Sequence, residues 1–344
     1  MRCILDKEKF LGLEYFDTVR ITVEDNKVLV YCMSNLGIKY EFLSFCEKTQ
    51  EGIAVFGAKM LAAKIKSLPG DSVVFKNNMI SDSGKKVFHK LPVLSDNDDI
   101  GIICEKEFDW SVKLGSDEFF SVVDNVSFCV MSRRDRPVTN NVCVKVRAER
   151  VTSFGFDGYK LASSSRELEL GKYIDESIFI HFSTVPILKR WIKGKKNVRL
   201  GKKGTWVYVS NVDSSICFLQ QSVDIPDFNK ILNFPAKCIV SFDKLELQRA
   251  LQSLTLTDEG ICFIFKNGKC NLRCIGDDNS SSAAVIGFKC DSSPVDFKVN
   301  GKFFIDVIRK VPGKEFSINL GKNSQDPVLV FSKDIKCAIA PMVM

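Results

Sequence analysis

Short runs in which apolar and polar residues alternate recur along the chain, broken by compact stretches whose apolar residues return at helical spacing. Alternation at period two marks strands with one buried face. Val19–Val23 and Lys27–Tyr31 flank Glu24-Asp25-Asn26, Val142–Val146 precedes Val151–Phe154, and Ile261–Phe265 and Cys270–Cys274 flank Lys266-Asn267-Gly268. Each pair predicts a hairpin. Three stretches switch to the longer period. Within Lys59–Lys66 and just beyond it, Leu61, Ile65 and Leu68 share a face; so do Leu188, Trp191 and Ile192 within Thr184–Lys193, and Phe304, Val307 and Ile308 within Lys302–Lys310. Gly70 and Gly313, each after a proline, and Gly194 stop these helices.

The stretches are copies of one unit: strand, short helix, glycine stop, strand. A second repeated element opens each copy with a short strand and an acidic helix start, at Ile4-Leu5-Asp6-Lys7-Glu8, Val112–Phe119 and Val240–Leu245. Asp6, Ser116 and Asp243 are the expected N-caps. The copies recur about every 110–130 residues, too far apart for a solenoid, so they predict three whole domains. The expectation is an α+β chain of domains 1–107, 108–232 and 233–344, each with two helices on antiparallel sheet. Linkers are expected around Glu105–Asp109 and Leu232–Ala236, and Asp96–Asp99 as a solvated loop.

Composition narrows the chemistry. The N-terminus meets Asp6, Lys7, Glu8 and Lys9 before any apolar run forms, and no run reaches the ~18 apolar residues of a membrane span, so a soluble, cytoplasmic protein without membrane attachment is expected. The 13 cysteines include no C-x-x-C pair, and the only histidines are His89 and His181, so buried free thiols are expected rather than a metal site. The net charge of +7 favours a polyanionic partner without identifying it.

Four segments in order carry a resemblance: Phe156-Asp157-Gly158-Tyr159-Lys160-Leu161-Ala162 to T-D-G-H-R-L-A, Ile225-Pro226-Asp227-Phe228-Asn229-Lys230-Ile231-Leu232 to F-P-D-Y-x-x-x-L, Val299–Ile308 to F-N-x-x-Y-L-x-D-x-L, and Ala338–Met344 to V-M-P-M-R-L. On these motifs and the triplication the chain resembles the bacterial DNA polymerase III beta subunit, the beta sliding clamp family, over nearly its whole length. It departs in a shortened first helix, in lacking the family's Arg-Pro loop, and in being basic where members are usually acidic.

The resemblance implies a head-to-tail homodimeric ring around duplex DNA, a processivity factor without cofactor or catalytic residues. It implies that Lys59, Lys66, Lys189, Arg190, Lys193, Arg309 and Lys310 face phosphates, with Arg133 and Arg134 as loop contacts. It implies that polymerase and clamp loader dock through short apolar peptides in a groove at Thr139, Gly158, Tyr159, Lys160, Leu161, Pro226, Lys230, Ile231, Ala340, Pro341, Met342, Val343 and Met344. It also implies a dimer interface joining Val87 and Phe88 of the first domain to Val285 and Ile286 of the third, with Leu254 adding apolar area. Two other readings compete: a clamp-fold adaptor without a ring, and a metal-dependent nucleic-acid enzyme. The enzyme reading has little support, since Asp117-Glu118 reads as a helix start and no G-x-x-x-x-G-K-[ST] loop is present.

Overall fold

A computed structural model describes residues 1–10, 12–46, 49–94, 108–131, 137–147, 149–167, 174–220, 223–254, 260–275 and 281–343. The chain forms two compact units, one mainly Met1–Phe120 and Ser183–Gln221, the other mainly Ser121–Leu168, Asp175–Phe182 and Ser222–Met344. The stretch 108–232 therefore contributes to both.

In chain order, β1 (Arg2–Asp6) leads through two 3-10 turns, Lys7–Phe10 and Leu13–Tyr15, to β2 (Thr18–Glu24), β3 (Lys27–Met33), β4 (Ile38–Phe45), β5 (Gly52–Gly57), α1 (Ala58–Ser67), β6 (Ser72–Lys76), β7 (Met79–Asp82) and β8 (Phe88–Lys90). Then come β9 (Trp110–Gly115), α2 (Ser116–Ser127), β10 (Asn141–Arg147), β11 (Arg150–Phe156), β12 (Lys160–Glu167), β13 (Asp175–His181), α3 (Val185–Ile192), β14 (Asn197–Lys203), β15 (Trp206–Ser210), β16 (Ser214–Leu219) and α4 (Phe228–Leu232). The last series is β17 (Cys238–Asp243), α5 (Lys244–Ser253), β18 (Ile261–Lys266), β19 (Lys269–Ile275), β20 (Ser281–Gly287), β21 (Lys289–Cys290), β22 (Phe297–Val299), α6 (Gly301–Lys310), β23 (Glu315–Leu320), β24 (Val328–Phe331) and β25 (Ile335–Ile339).

The first unit holds a four-stranded sheet, β1-β6-β7-β8, and an eight-stranded sheet, β5-β2-β3-β4-β16-β15-β14-β9. The second holds a nine-stranded sheet, β13-β10-β11-β12-β25-β24-β23-β17-β21, and a four-stranded one, β20-β19-β18-β22. Each long sheet is two smaller sheets fused along one seam, four strands with four in the first unit and four with five in the second. β4 joins β16 from Phe42↔Ser214 to Ile38↔Phe218, and β12 joins β25 from Lys160↔Ile339 to Ser164↔Ile335. Two strands in the corresponding positions, β8 and β20, are left as edges.

One strand register recurs three times. Asp6 faces Ser72, Gly115 faces Asn197 and Asp243 faces Glu315. The next backbone amide in each case closes the ladder: Lys7 donates to Asp71 O at 2.8 Å, Ser116 to Lys196 O at 3.2 Å and Lys244 to Lys314 O at 2.8 Å. Lys7 and Lys244 also extend their ammonium groups to the carbonyls of Leu68 and Val311, which end α1 and α6. A cation there meets the negative end of the helix dipole.

The expected N-caps divide. Asp243 caps α5, accepting from the Glu246 amide at 2.8 Å. The Ser116 hydroxyl is buried without a partner, so it does not cap α2. After Asp6 the chain makes 3-10 turns instead of a full helix, with Gly12 between them at φ 93°, as the shortened first helix required. The hairpins form as predicted, with Asp25 and Asn26 at φ 44° and 63° and Asn267 and Gly268 at φ 53° and 70°. The helical faces are buried as predicted, at Leu61, Ile65, Leu188, Trp191, Phe304, Val307 and Ile308.

Among the described residues no helix is long and apolar enough to cross a membrane, and no group of three or more His, Cys, Asp or Glu could hold a metal ion. The described cysteines are free thiols. Burial pushes the Cys3, Cys143, Cys270 and Cys337 thiols up to about 12, so they stay protonated and serve as core.

Candidate nucleic-acid and peptide interfaces

The predicted cations sit on the outward sides of α1, α3 and α6 because the opposite sides supply core. They are not equivalent. Lys59, Lys193 and Arg309 are exposed and have no ion pair among the described residues. Lys66 and Arg190 both reach Glu14 Oε1, at 3.5 and 2.6 Å, and the Arg190 guanidinium also lies over Tyr15. Partial burial raises the Glu14 carboxyl. The backbone bond, the Arg190 hydrogen bond and the two cations outweigh it, leaving the pKa below 4.5. Lys310 donates to Asp124 Oδ2 at 2.9 Å and to Asp124 O at 3.1 Å. Lys189 lies over the Phe120 ring. Three of the seven helix cations are thus partly neutralised at home, which spacing alone did not reveal because Glu14 and Asp124 are distant in sequence. Arg133 and Arg134 lie outside the described residues.

Sequence reasoning missed further cations. Lys9 and Lys195 join Arg190 and Lys193 around a cavity of about 480 Å³ in the first unit, floored by Phe16, Tyr40, Phe42 and Trp191. Lys195 stands 4.7 Å above the Trp191 ring, and burial lowers its pKa. The signal for it was the acid-free stretch in which it lies.

The expected peptide groove lies within the second unit, around the β11–β12 turn. Gly158, at φ 98°, has open space where a Cβ would stand. Tyr159 is half exposed and stacks on Phe303 at 5.9 Å. Asp157 ties the turn, accepting from the Tyr159 and Lys160 amides at 2.8 Å each. The Lys160 side chain is buried: it pairs with Asp306 at 2.8 Å and lies over the Phe303 and Phe128 rings. Beside the turn, Phe154 and Phe156 pack on Phe228, and Leu161, Leu232, Leu329 and Ala338 complete an apolar cluster fringed by Val138, Val223, Ile225 and Phe234. Asp227 caps α4 and so presents Lys230 and Ile231 outward, with Pro226 also exposed.

The C-terminal strand runs alongside. Ala340 donates to Tyr159 O at 2.7 Å, Pro341 bridges to Val299, Met342 donates to Lys298 O at 2.7 Å, and Val343 is exposed. Met344 lies outside the described residues. Two further expected lining residues are buried, as Lys160 is. Thr139 is fully buried, and Leu161 belongs to the core beneath the turn, so neither offers its side chain to a ligand at this surface.

The two edge strands present apolar side chains. Phe88 on β8 is 69% exposed and Val285 on β20 is 55% exposed. Val87, half-buried, donates its amide to Asp82 Oδ1. Ile286 is buried because alternation turns it inward, and Leu254 is buried where it closes α5, so neither adds exposed area to the edge. Leu245 of α5 is exposed, lining a shallow depression with Ala284 and Val285.

No family model matches the sequence, and no curated protein matches it. Solved structures do. The chain is similar to a DnaN sliding clamp, DNA polymerase III subunit beta, from Pseudomonas aeruginosa bound to griselimycin, at 16% identity and TM-score 0.89 with all of each chain covered. It is similar to the DNA polymerase III beta subunit of Thermotoga maritima at 14% identity and TM-score 0.90, covering 100% of this chain and 99% of that one. A DnaN sliding clamp from Bartonella birtlesii bound to griselimycin matches at 14% identity and TM-score 0.88 with all of each chain covered. The chain therefore has the fold of these clamps from end to end.

Proposed function

We propose that this chain is a DNA sliding clamp: three domains, 1–107, 108–232 and 233–344, that dimerise head to tail into a ring around duplex DNA. The observation that carries the reading is the pair of leftover edges. Twice within the chain a strand in the β8 position pairs with a strand in the β20 position, as β16 with β4 and β25 with β12. One strand of each kind keeps one edge without a partner strand among the described residues. An open edge exposes a row of backbone donors and acceptors, and a second copy satisfies both edges by repeating a seam the chain already uses.

Cations on α1, α3 and α6 suit the function, since contacts to phosphates hold a duplex without reading its bases. The clamps of known structure share the fold, and the reading makes the protein a non-catalytic accessory of a polymerase, working in the cytoplasm. Polymerase and loader peptides would place apolar side chains against Tyr159, Ile231 and the Phe154–Phe228 cluster. Each buried Leu or Phe contributes about 1.5–3 kcal/mol, so two or three anchors less ordering costs give roughly micromolar affinity, suited to partners that exchange.

Topology is the test. Protein loaded on closed circular DNA is expected to stay bound through a salt wash and to leave when the circle is cut, whatever the sequence at the ends. The species is expected at twice the 38.7 kDa chain mass. A monomer that leaves circles and linear DNA alike would instead support an adaptor that keeps the fold without the ring.

A further inference from the structure

The basic character of the chain is concentrated. From Ser177 to Val212 there are eight lysines and arginines and no aspartate or glutamate. Lys189 and Arg190 of this stretch belong to α3 and Lys193 follows at its C-cap, but Arg199 and Lys203 lie on β14, on the sheet face opposite to the one where Val198 and Leu200 are buried. On that outward face Arg199 stands directly across from Lys113 of β9. Both are exposed, and neither has an ion-pair partner among the described residues. Like charges in a directly opposed pair destabilise a sheet, so folding alone does not favour this arrangement.

Small residues surround the pair on the same sheet face. Moving across the strands, Arg199 is followed by Ser210 of β15 and Ser215 of β16, and the next row begins Ser111, Gly201, Tyr208. These residues are small except for Tyr208. A side chain at position 201 would be tight: a Cβ there would stand 3.0 Å from Trp110 O and 3.1 Å from the Phe108 ring. One side is aromatic and basic. Phe108 packs edge-on against Tyr208 at 5.4 Å, Lys203 is in register with Trp206, and Lys39 holds its ammonium 4.5 Å above the half-buried Trp206 ring. Acids nearby are committed elsewhere: Asp109 accepts from the Gly204 amide at 2.7 Å, and Glu41, across from Ser215, is 2% exposed.

We infer that this face binds single-stranded nucleic acid, with the Lys113–Arg199 pair on phosphates and the Trp206 and Phe108 rings against bases. Cations interleaved with aromatic faces suit a strand whose bases are unstacked. A duplex hides its base faces and leaves the aromatic rings without a role. The surface lies on β9, β14 and β15, and the inference does not depend on ring closure.

Binding of a fluorescently labelled oligo(dT) to the full chain at low salt, followed by anisotropy, tests it. Replacing both Lys113 and Arg199 by Ser is expected to weaken binding about tenfold and to lower the slope of log affinity against log salt by about 1.4, for two lost phosphate contacts that each release ~0.7 counterion. Lys113→Glu guards against misfolding: it creates an opposite-charge pair with Arg199, which favours the sheet while removing the anion site. It is expected to keep the thermal transition, to lose oligo(dT) binding and to leave retention on circular duplex unchanged. Trp206→Leu is expected to abolish the quenching of tryptophan emission by oligo(dT). Unaltered oligo(dT) affinity in the Ser and Glu variants overturns the proposal. So does displacement by polyglutamate as efficient as by unlabelled oligo(dT), which would mark an acidic peptide as the occupant.

Discussion

The chain builds the same seam twice and makes different surfaces of it. At the first, β4 meets β16 with Ile38 opposite Phe218; at the second, β12 meets β25 with Lys160 opposite Ile339. A glycine-bearing turn precedes each, with Gly37 at φ 73° and Gly158 at φ 98°. A Cβ on Gly37 would stand 3.2 Å from Leu219, whereas one on Gly158 would meet nothing. The first turn is therefore covered by its neighbouring strand. The second stands open, with Tyr159 laid on Phe303, Lys160 drawn down to Asp306 and a phenylalanine cluster alongside. Strand pairing is the reusable part of the design; a ligand surface depends on what the turn leaves uncovered.

Three changes at the second seam press on that contrast. The largest effect is expected from Phe228→Ala, which empties the centre of the second seam's cluster and should cost about 3–5 kcal/mol in urea unfolding, against little change for the exposed Leu219→Ala at the first. Lys160→Met keeps the side-chain length but removes the charged hydrogen bond to Asp306, for an expected loss of about 1.5–3 kcal/mol in the same measurement. If the second turn alone is the docking surface, Tyr159→Ala should weaken a fluorescent apolar peptide about tenfold and Leu36→Ala should leave the isotherm unmoved. Equal losses would make the two seams functionally alike.

The smallest effect concerns Glu14, in the first unit. Its folded pKa lies below 4.5, so the stabilisation it gives is complete above that value and disappears as pH falls through the folded pKa. Glu14→Gln is expected to flatten that acid limb in thermal melts and to leave the neutral-pH transition nearly unmoved, because Lys66 and Arg190 remain largely hydrated.

Much of this was legible in the sequence. Period-two and helical stretches located the hairpins and α1, α3 and α6, because each element buries one face and the pattern records it. Contacts between distant segments were not legible. No local pattern says that β4 meets β16, that Glu14 receives both Lys66 and Arg190, or that Asp124 holds Lys310. Side-chain direction was not legible at Leu254, Ile286 and Thr139, which are buried. At Ser116, residue type suggested a cap that the geometry does not form. The Lys113–Arg199 opposition depends on register, which composition does not encode.

The brevity of β8 has a mechanical consequence. Each internal seam runs over five residue pairs, while β8 is three residues long, Phe88–Lys90. If the proposed ring closes through β8, its intermolecular joints are shorter than its internal seams, and outward strain is expected to part them before any domain unfolds.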